Sequence, residues 1–239
     1  MTAKLIAIEG SDGAGKATQT KMLVDYLRQR GIKVATIDFP QYELTPAGEV
    51  LYEYLKSDRQ DDYCFADMNP KAASFLYAKN RFESMPKVQA LINSHDVLVF
   101  DRWVESNILH QGGKFDSDQG KMDFAKWVSD LEYVHFGLPV PDVTVYLDLP
   151  YSISYVRARL RAEALGQSAD IVESNLPYLK NSWKAGKLYA SMFGWFVVDC
   201  VIPDVVDELR ATYEFTPEEI HEKVKEVVKL TRKKLIVHD

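Results

Sequence analysis

Gly10-Ser11-Asp12-Gly13-Ala14-Gly15-Lys16 sets glycines and a lysine in the order Gly-x4-Gly-Lys. Such a run can hold phosphate. Glycines let backbone N–H groups converge on phosphate oxygens where side chains would obstruct them. A helix opening directly after the loop adds its positive end, and Lys16 can reach β- and γ-phosphates. Ala17 departs from the pattern, because Ser or Thr there normally gives a hydroxyl to Mg²⁺. Thr18 points about 100° further round the helix and does not simply substitute. A metal would therefore rest on phosphate oxygens, water and a distal carboxylate such as Asp101, directly or through water. Asp101-Arg102 closes an apolar run, and a guanidinium can fork onto a phosphate as an ammonium cannot. A surface ion pair is the plainer reading of Arg102, and a structural strand-end acid that of Asp101. Tyr77 and Arg81 lie four apart on one helical face, where a ring can stack and a fork can donate to a base edge. On spacing alone, core packing accounts better for Tyr77.

Elements of definite kind must hold these groups. Leu5-Ile6-Ala7-Ile8 is a short, uninterrupted apolar run, the mark of a strand buried on both faces. Similar runs occur at Val34–Ile37, Val97–Phe100, Val143–Leu147 and Phe196–Val198. Helical spacing follows the glycine loop over Lys16–Arg30. It recurs at Pro46–Lys56, Pro70–Asn93, Gly120–His135, Ser152–Ala164, Pro177–Phe193 and Pro217–Val228. Strands alternating with helices predict a parallel sheet of five strands covered on both faces, with right-handed crossovers. Leu165–Ala169 and Ile202–Glu214 read as irregular.

The 239 residues fit one large domain, 1–239, and are 46% hydrophobic and 27% charged with a net charge of −6. That acidic balance argues against a general nucleic-acid binder, but a few donors clustered in a cleft still suffice for a small anion. The basic cluster Arg232-Lys233-Lys234 reads as a solvated helix end. Cys64 and Cys200 match no metal-ligand spacing, and Cys200 ends an apolar run as a buried thiol would. No signal-peptide pattern and no membrane-spanning stretch is visible, so a cytoplasmic location is expected.

The phosphate loop, with Glu9 before it and Ala17-Thr18-Gln19 after it, resembles the first signature of the thymidylate kinase family of P-loop nucleoside monophosphate kinases. Further resemblances follow in family order. They are Phe39-Pro40-Gln41-Tyr42, Tyr77 to Glu83, Asp101-Arg102-Trp103 with its following helix, Gly137 to Asp142, and Arg157-Ala158-Arg159-Leu160-Arg161 before Asp170 and Glu173.

The resemblance implies a P-loop NTPase α/β/α sandwich with a helical lid at about 157–173, ATP and Mg²⁺ as requirements, dTMP as acceptor, and a homodimer. Gly10 to Thr18, with Arg157, would bind ATP. Asp12 would accept from the acceptor's 3′-hydroxyl, and Arg102 would grip its phosphate. Tyr77 would stack on thymine and Arg81 would donate to a base carbonyl. Phe39 and Leu55 would wall the base pocket, with Ser106, Asn107 and Gln111 on its far side and Glu173 reaching in from the lid. Tyr42 stands where some members have an arginine near the acceptor phosphate, which shifts more of that task to Arg102. His110 replaces a tyrosine that in some members crowds the 2′-hydroxyl, so strict sugar selection stays open; a helix-end histidine is the other reading. Gly13 lacks the loop arginine of some relatives, and such members use lid arginines, here Arg157, Arg159 and Arg161. Lys16, Arg102, Asp12, Arg157 and Arg161 would form the catalytic set. A kinase for another pyrimidine nucleotide or nucleoside, or a catalytically weakened nucleotide-binding homologue, are the remaining alternatives.

Overall fold

The computed structural model describes residues 3–56, 68–164, 175–202 and 214–235, apart from the side chains of residues 161, 162 and 231–235. Cys64, the Arg161 side chain, Asp170, Glu173, the Leu165–Ala169 stretch, the interior of Ile202–Glu214 and the Arg232-Lys233-Lys234 side chains lie outside it.

Five strands form one parallel sheet: β1 (Lys4–Gly10), β2 (Val34–Asp38), β3 (Val97–Asp101), β4 (Val143–Asp148) and β5 (Phe196–Asp199), in the order β2-β3-β1-β4-β5. The central strands β1, β3 and β4 are buried on both faces, as their uninterrupted apolar runs require, whereas the edge strands expose Thr36 on β2 and, against expectation, Phe196 and Val197 on β5. Leu5 and Ala7 point to one core with Phe100, Trp103, Phe124, Tyr146 and Tyr189. Ile6 and Ile8 point to the other with Leu23, Leu27, Val99 and Val145. Helices α1 (Lys16–Arg28) and α9 (Pro217–Leu235) pack together on the second face. On the first face lie α4 (Met85–Ser94), α5 (Val104–Gly112), α6 (Asp118–Ser129) and α8 (Leu176–Phe193), while α2 (Pro46–Lys56) and α3 (Pro70–Glu83) pair beside them and α7 (Tyr151–Ala164) packs on α8. The three-layer α/β architecture is thus as expected.

Two expected helices are divided. The Pro70–Asn93 stretch breaks at Ser84, which ends α3 and stands before α4. Pro86 supplies the cause: it has no N–H to continue the ladder, and its ring is tolerated only in a first turn. The Gly120–His135 stretch is α-helical only to Ser129, and Asp130–His135 is a π-helical turn. Helix α5 is not apparent from periodicity. It is buried on nearly all sides, so no apolar stripe marks it. Among the described residues no helix is long and apolar enough to cross a membrane.

The topology creates a crevice. From β1 the chain crosses to β2 at one edge, whereas from β3 it crosses past β1 to β4. The carboxyl ends of β1 and β3, where the order reverses, are where open α/β sheets bind ligands. Gly10 and Asp101 stand at these ends, and Asp38 at the end of β2 beside β3.

Candidate active site

The loop after β1 is built for an anion. Gly13 has φ +78° and Gly15 φ +89°, a region that side chains disfavour. A Cβ on Gly13 would also meet the Cβ of Arg157 at 3.2 Å and the Ser154 carbonyl oxygen at 3.3 Å. Gly15 precedes α1 and makes no side-chain cap, so the first amides of that helix are left to an incoming phosphate. Ala17 and Thr18 are exposed. Ser154 Oγ donates to the Asp12 carbonyl and Arg157 Nη1 to the Gly13 carbonyl at 3.0 Å, docking α7 onto the loop. The other Nη of Arg157 pairs with Glu214. Of the neighbouring arginines, Arg159 lies over the Tyr155 ring at 5.8 Å. Arg157 is therefore the described lid arginine that reaches the phosphate loop.

Lys16, 6% exposed, donates from Nζ to the carbonyls of Gly10 (3.0 Å) and Ser11 (2.8 Å) and lies 3.6 Å from Asp12 Oδ1. Burial lowers its pKa to about 8; Arg102 lowers it further, while Asp12, Asp101 and Glu9 oppose the shift. Asp12 also pairs with Arg102 Nη2. Burial alone would raise the Asp12 carboxyl, but Arg102 and Lys16 prevail and hold it well below the usual range. Two cations thus converge on one carboxylate at the crevice.

Arg102 Nη1 lies 3.3 Å from His110 Nε2. Burial, with Arg102 and Lys16, lowers the His110 pKa to about 4 against the pull of Asp12. The imidazole is neutral at pH 7, and an Nε2 that accepts from Arg102 leaves its proton on Nδ1. Asp101 is raised by burial and by Asp38, and lowered by Lys16 and Arg102. Asp38 is its registered neighbour across β2 and β3.

Aromatic residues gather beside these charges. Tyr77 lies within electrostatic reach of Tyr42, Tyr178, Arg102 and Asp12, and burial raises its pKa far above the ordinary value. Tyr42, Leu55 and Tyr77 pack in one cluster. Asn80 staples the loop carrying Tyr42 to α3: it accepts from the Gln41 amide at 2.9 Å and donates to Thr45 Oγ1 at 2.6 Å and the Gln41 carbonyl at 3.0 Å. Phe39 sits in the core with its ring 5.0 Å from that of Trp103.

Deeper lies a polar knot. Arg81 donates from Nε (2.5 Å) and Nη2 (2.7 Å) to Glu132, and from Nη1 to the Trp103 carbonyl at 3.3 Å. Asn107 Nδ2 donates to the same Glu132 at 2.8 Å and to the Ser74 carbonyl at 3.1 Å. Arg81 and Asn107 are thereby fixed in orientation. Asn107 Oδ1 and Gln111 Oε1 are buried acceptors without a hydrogen-bond donor among the described residues. Ser106, expected beside the acceptor, directs its hydroxyl to Glu9 instead.

Sequence reasoning missed Glu132, Glu9 and Tyr178. Tyr178 begins α8, donates to the His110 carbonyl at 3.2 Å and lies parallel to that ring at 6.5 Å. An aromatic residue one turn into a helix after the arginine run was the available signal. Nothing local marks Glu132, because a carboxylate midway along a polar helical pattern reads as solvated.

Comparison with known proteins gives one answer. The family model described as Thymidylate kinase matches residues 8–200. A thymidylate kinase from Mycobacterium tuberculosis is 31% identical over 220 residues, covering 90% of this chain and 99% of that protein. One from Thermomicrobium roseum is 27% identical over 210 residues, covering 87% and 92%. The solved structure of a thymidylate kinase from Candida albicans superposes with a TM-score of 0.70 at 21% identity, covering 100% of this chain and 96% of that one. That last likeness bears on the fold.

Proposed function

The chain belongs to the thymidylate kinase family, and on that premise we propose that it moves the γ-phosphoryl group of ATP onto dTMP, giving dTDP and ADP. One observation carries this reading: Lys16 of the phosphate loop and Arg102 of the adjoining strand end meet on the same carboxylate, Asp12. A donor triphosphate at the first and an acceptor monophosphate at the second would lie end to end.

A phosphate oxygen is already a nucleophile, so the reaction needs alignment and charge neutralisation more than acid–base chemistry. The acceptor oxygen bonds to the γ-phosphorus as the bond to the β–γ bridging oxygen breaks. Lys16, the loop amides and Arg157 neutralise the donor side, and Arg102 the acceptor side. Asp12, released from its cations as phosphates replace it, accepts from the 3′-hydroxyl. Tyr77 stacks on the base. Arg81, clamped by Glu132, offers one of its two remaining N–H groups to a base carbonyl, and Asn107 Oδ1, without a donor among the described residues, suits the base N3–H. His110 and Tyr178 border the sugar.

A divalent ion fits the residues present only in part, since no group of three His, Cys, Asp or Glu able to hold one is found among those described. Asp101 with Asp38 can supply the one or two carboxylates that Mg²⁺ takes beside phosphates and water. Bound with the nucleotide, Mg²⁺ would neutralise the β- and γ-phosphate oxygens, and Asp101 would be its anchor.

An ADP-release assay with and without dTMP and Mg²⁺ tests the reading, using dTMP, dUMP, the ribose form of TMP and thymidine as acceptors. Release should depend on both additions and be fastest with dTMP. ADP release indifferent to the acceptor would reject it.

We further propose a cytoplasmic homodimer. Its support is the apolar outer face of α3, where Phe75 (48% exposed) and Phe82 (46%) both contact Phe136 and Val134 is 70% exposed nearby. Phe75→Glu with Phe82→Glu should convert a dimer to a monomer in light scattering after gel filtration; an unchanged mass would move the interface elsewhere.

A further inference from the structure

Among the described non-glycine residues, Arg102 alone has φ in the left-handed region, at +70°. A side chain is disfavoured there, so the surroundings must impose it. Three bonds do so. The Arg102 amide donates to the Ile8 carbonyl at 3.2 Å. The next amide, that of Trp103, donates to Glu9 Oε1 at 2.7 Å, and Ser106 Oγ is bonded to Glu9 Oε2. Glu9 is fully buried on β1, immediately before Gly10. One carboxyl group therefore ties the root of the phosphate loop to the turn at Arg102 and to the first turn of α5.

We propose that Glu9 is a positioning residue, which holds the left-handed turn at Arg102 and so aims its guanidinium across the loop. The proposal rests on the reading of Arg102 as the clamp on the acceptor phosphate. On this assignment Glu9, wholly buried, acts through Arg102 and not by contact with a substrate.

The bonding pattern says what the side chain must offer. Burial raises the Glu9 pKa to about 8; Glu105 adds to the rise, while Ser106, the Trp103 amide and Arg102 oppose it. Both oxygens accept, Oε1 from the Trp103 amide and Oε2 from the Ser106 hydroxyl, and a serine hydroxyl can turn to accept instead from a donor at the second place. Glutamine reproduces this arrangement through its carbonyl and amide. Alanine offers neither bond, and aspartate is one methylene too short to keep both.

Steady-state kinetics of the whole chain with dTMP and ATP tests the assignment. Glu9→Ala should lower kcat about tenfold or more, as a misaimed catalytic group does, and raise the KM for dTMP while leaving that for ATP within about twofold. Glu9→Gln should keep kcat within about threefold of the parent, because the two hydrogen bonds and not the charge are at stake. A folded Glu9→Ala with parental kcat overturns the proposal, and so does a Glu9→Gln as impaired as Glu9→Ala. Should Glu9→Ala fail to fold, Ser106→Ala removes one of the two bonds; a lower kcat at unchanged ATP KM supports the proposal and a parental kcat rejects it. Arg102→Ala run alongside separates the two levels. Parental turnover there would reject the clamp itself, whereas loss there beside a fully active Glu9→Ala rejects only the role of Glu9.

Discussion

Lys16→Ala should lower turnover at least about a hundredfold, the scale reached when a donor fixed at developing charge is deleted. The free protein shows how that lysine is held ready. Its ammonium rests on two loop carbonyls and near Asp12, inside a site where burial has lowered its pKa to about 8. An arriving triphosphate would displace these partners and raise that pKa, so ATP binding near pH 8 should take up a proton. The sign follows. Below about pH 8 the lysine is already charged and ATP affinity is flat with pH. Above it the free protein holds a neutral amine, and the KM for ATP should climb. Lys16→Ala should abolish that alkaline rise together with the turnover. Arg102→Ala should cost a similar factor while raising the KM for dTMP in preference to that for ATP, and Arg102→Lys should rescue little, since a point charge cannot fork. Near-normal turnover in either alanine variant would remove that residue from the mechanism.

The sequence carries the catalytic frame well because its signals are local. A glycine loop between a strand and a helix needs no tertiary information, and Asp101-Arg102 at a strand end is placed by the strand alone. The five strands are legible for the same reason, each being a short apolar run, although at the sheet edge β5 leaves Phe196 and Val197 exposed. Long-range features are another matter. Helix α5 carries Asn107, His110 and Gln111, yet burial on nearly every side erases the stripe by which a helix is read. The contact between Arg81 and Glu132 spans 51 positions, and the π-helical turn that holds Glu132 has no compositional mark. Pro86, by contrast, was a readable break in the Pro70–Asn93 stretch. Tyr178 meets His110 only because α8 folds back over α5.

That buried pair supports the largest expected effect on stability. Glu132 is wholly buried and accepts from both Arg81 and Asn107, and Arg81 is 3% exposed. Glu132→Ala would strand a guanidinium and an amide in the core. Removing one partner of a buried ion pair costs about 3–5 kcal/mol, because the remaining charge is left without compensation. In a chain of this length that is a fall in melting temperature on the order of 10 °C. The penalty belongs to the orphaned charge, so the double variant Arg81→Met/Glu132→Leu should regain most of the lost stability. It should not regain dTMP binding, because the donor aimed at the base is gone. Thermal melts of the two variants beside dTMP KM measurements separate these effects. A Glu132→Ala protein melting within about 2 °C of the parent would show that water or another group compensates Arg81. A double variant with parental dTMP KM would instead free Arg81 from base recognition and leave the pair as architecture. The π-helical turn would then exist to close a core rather than to present a substrate contact, and the specificity for thymine would have to rest on Tyr77 and Asn107.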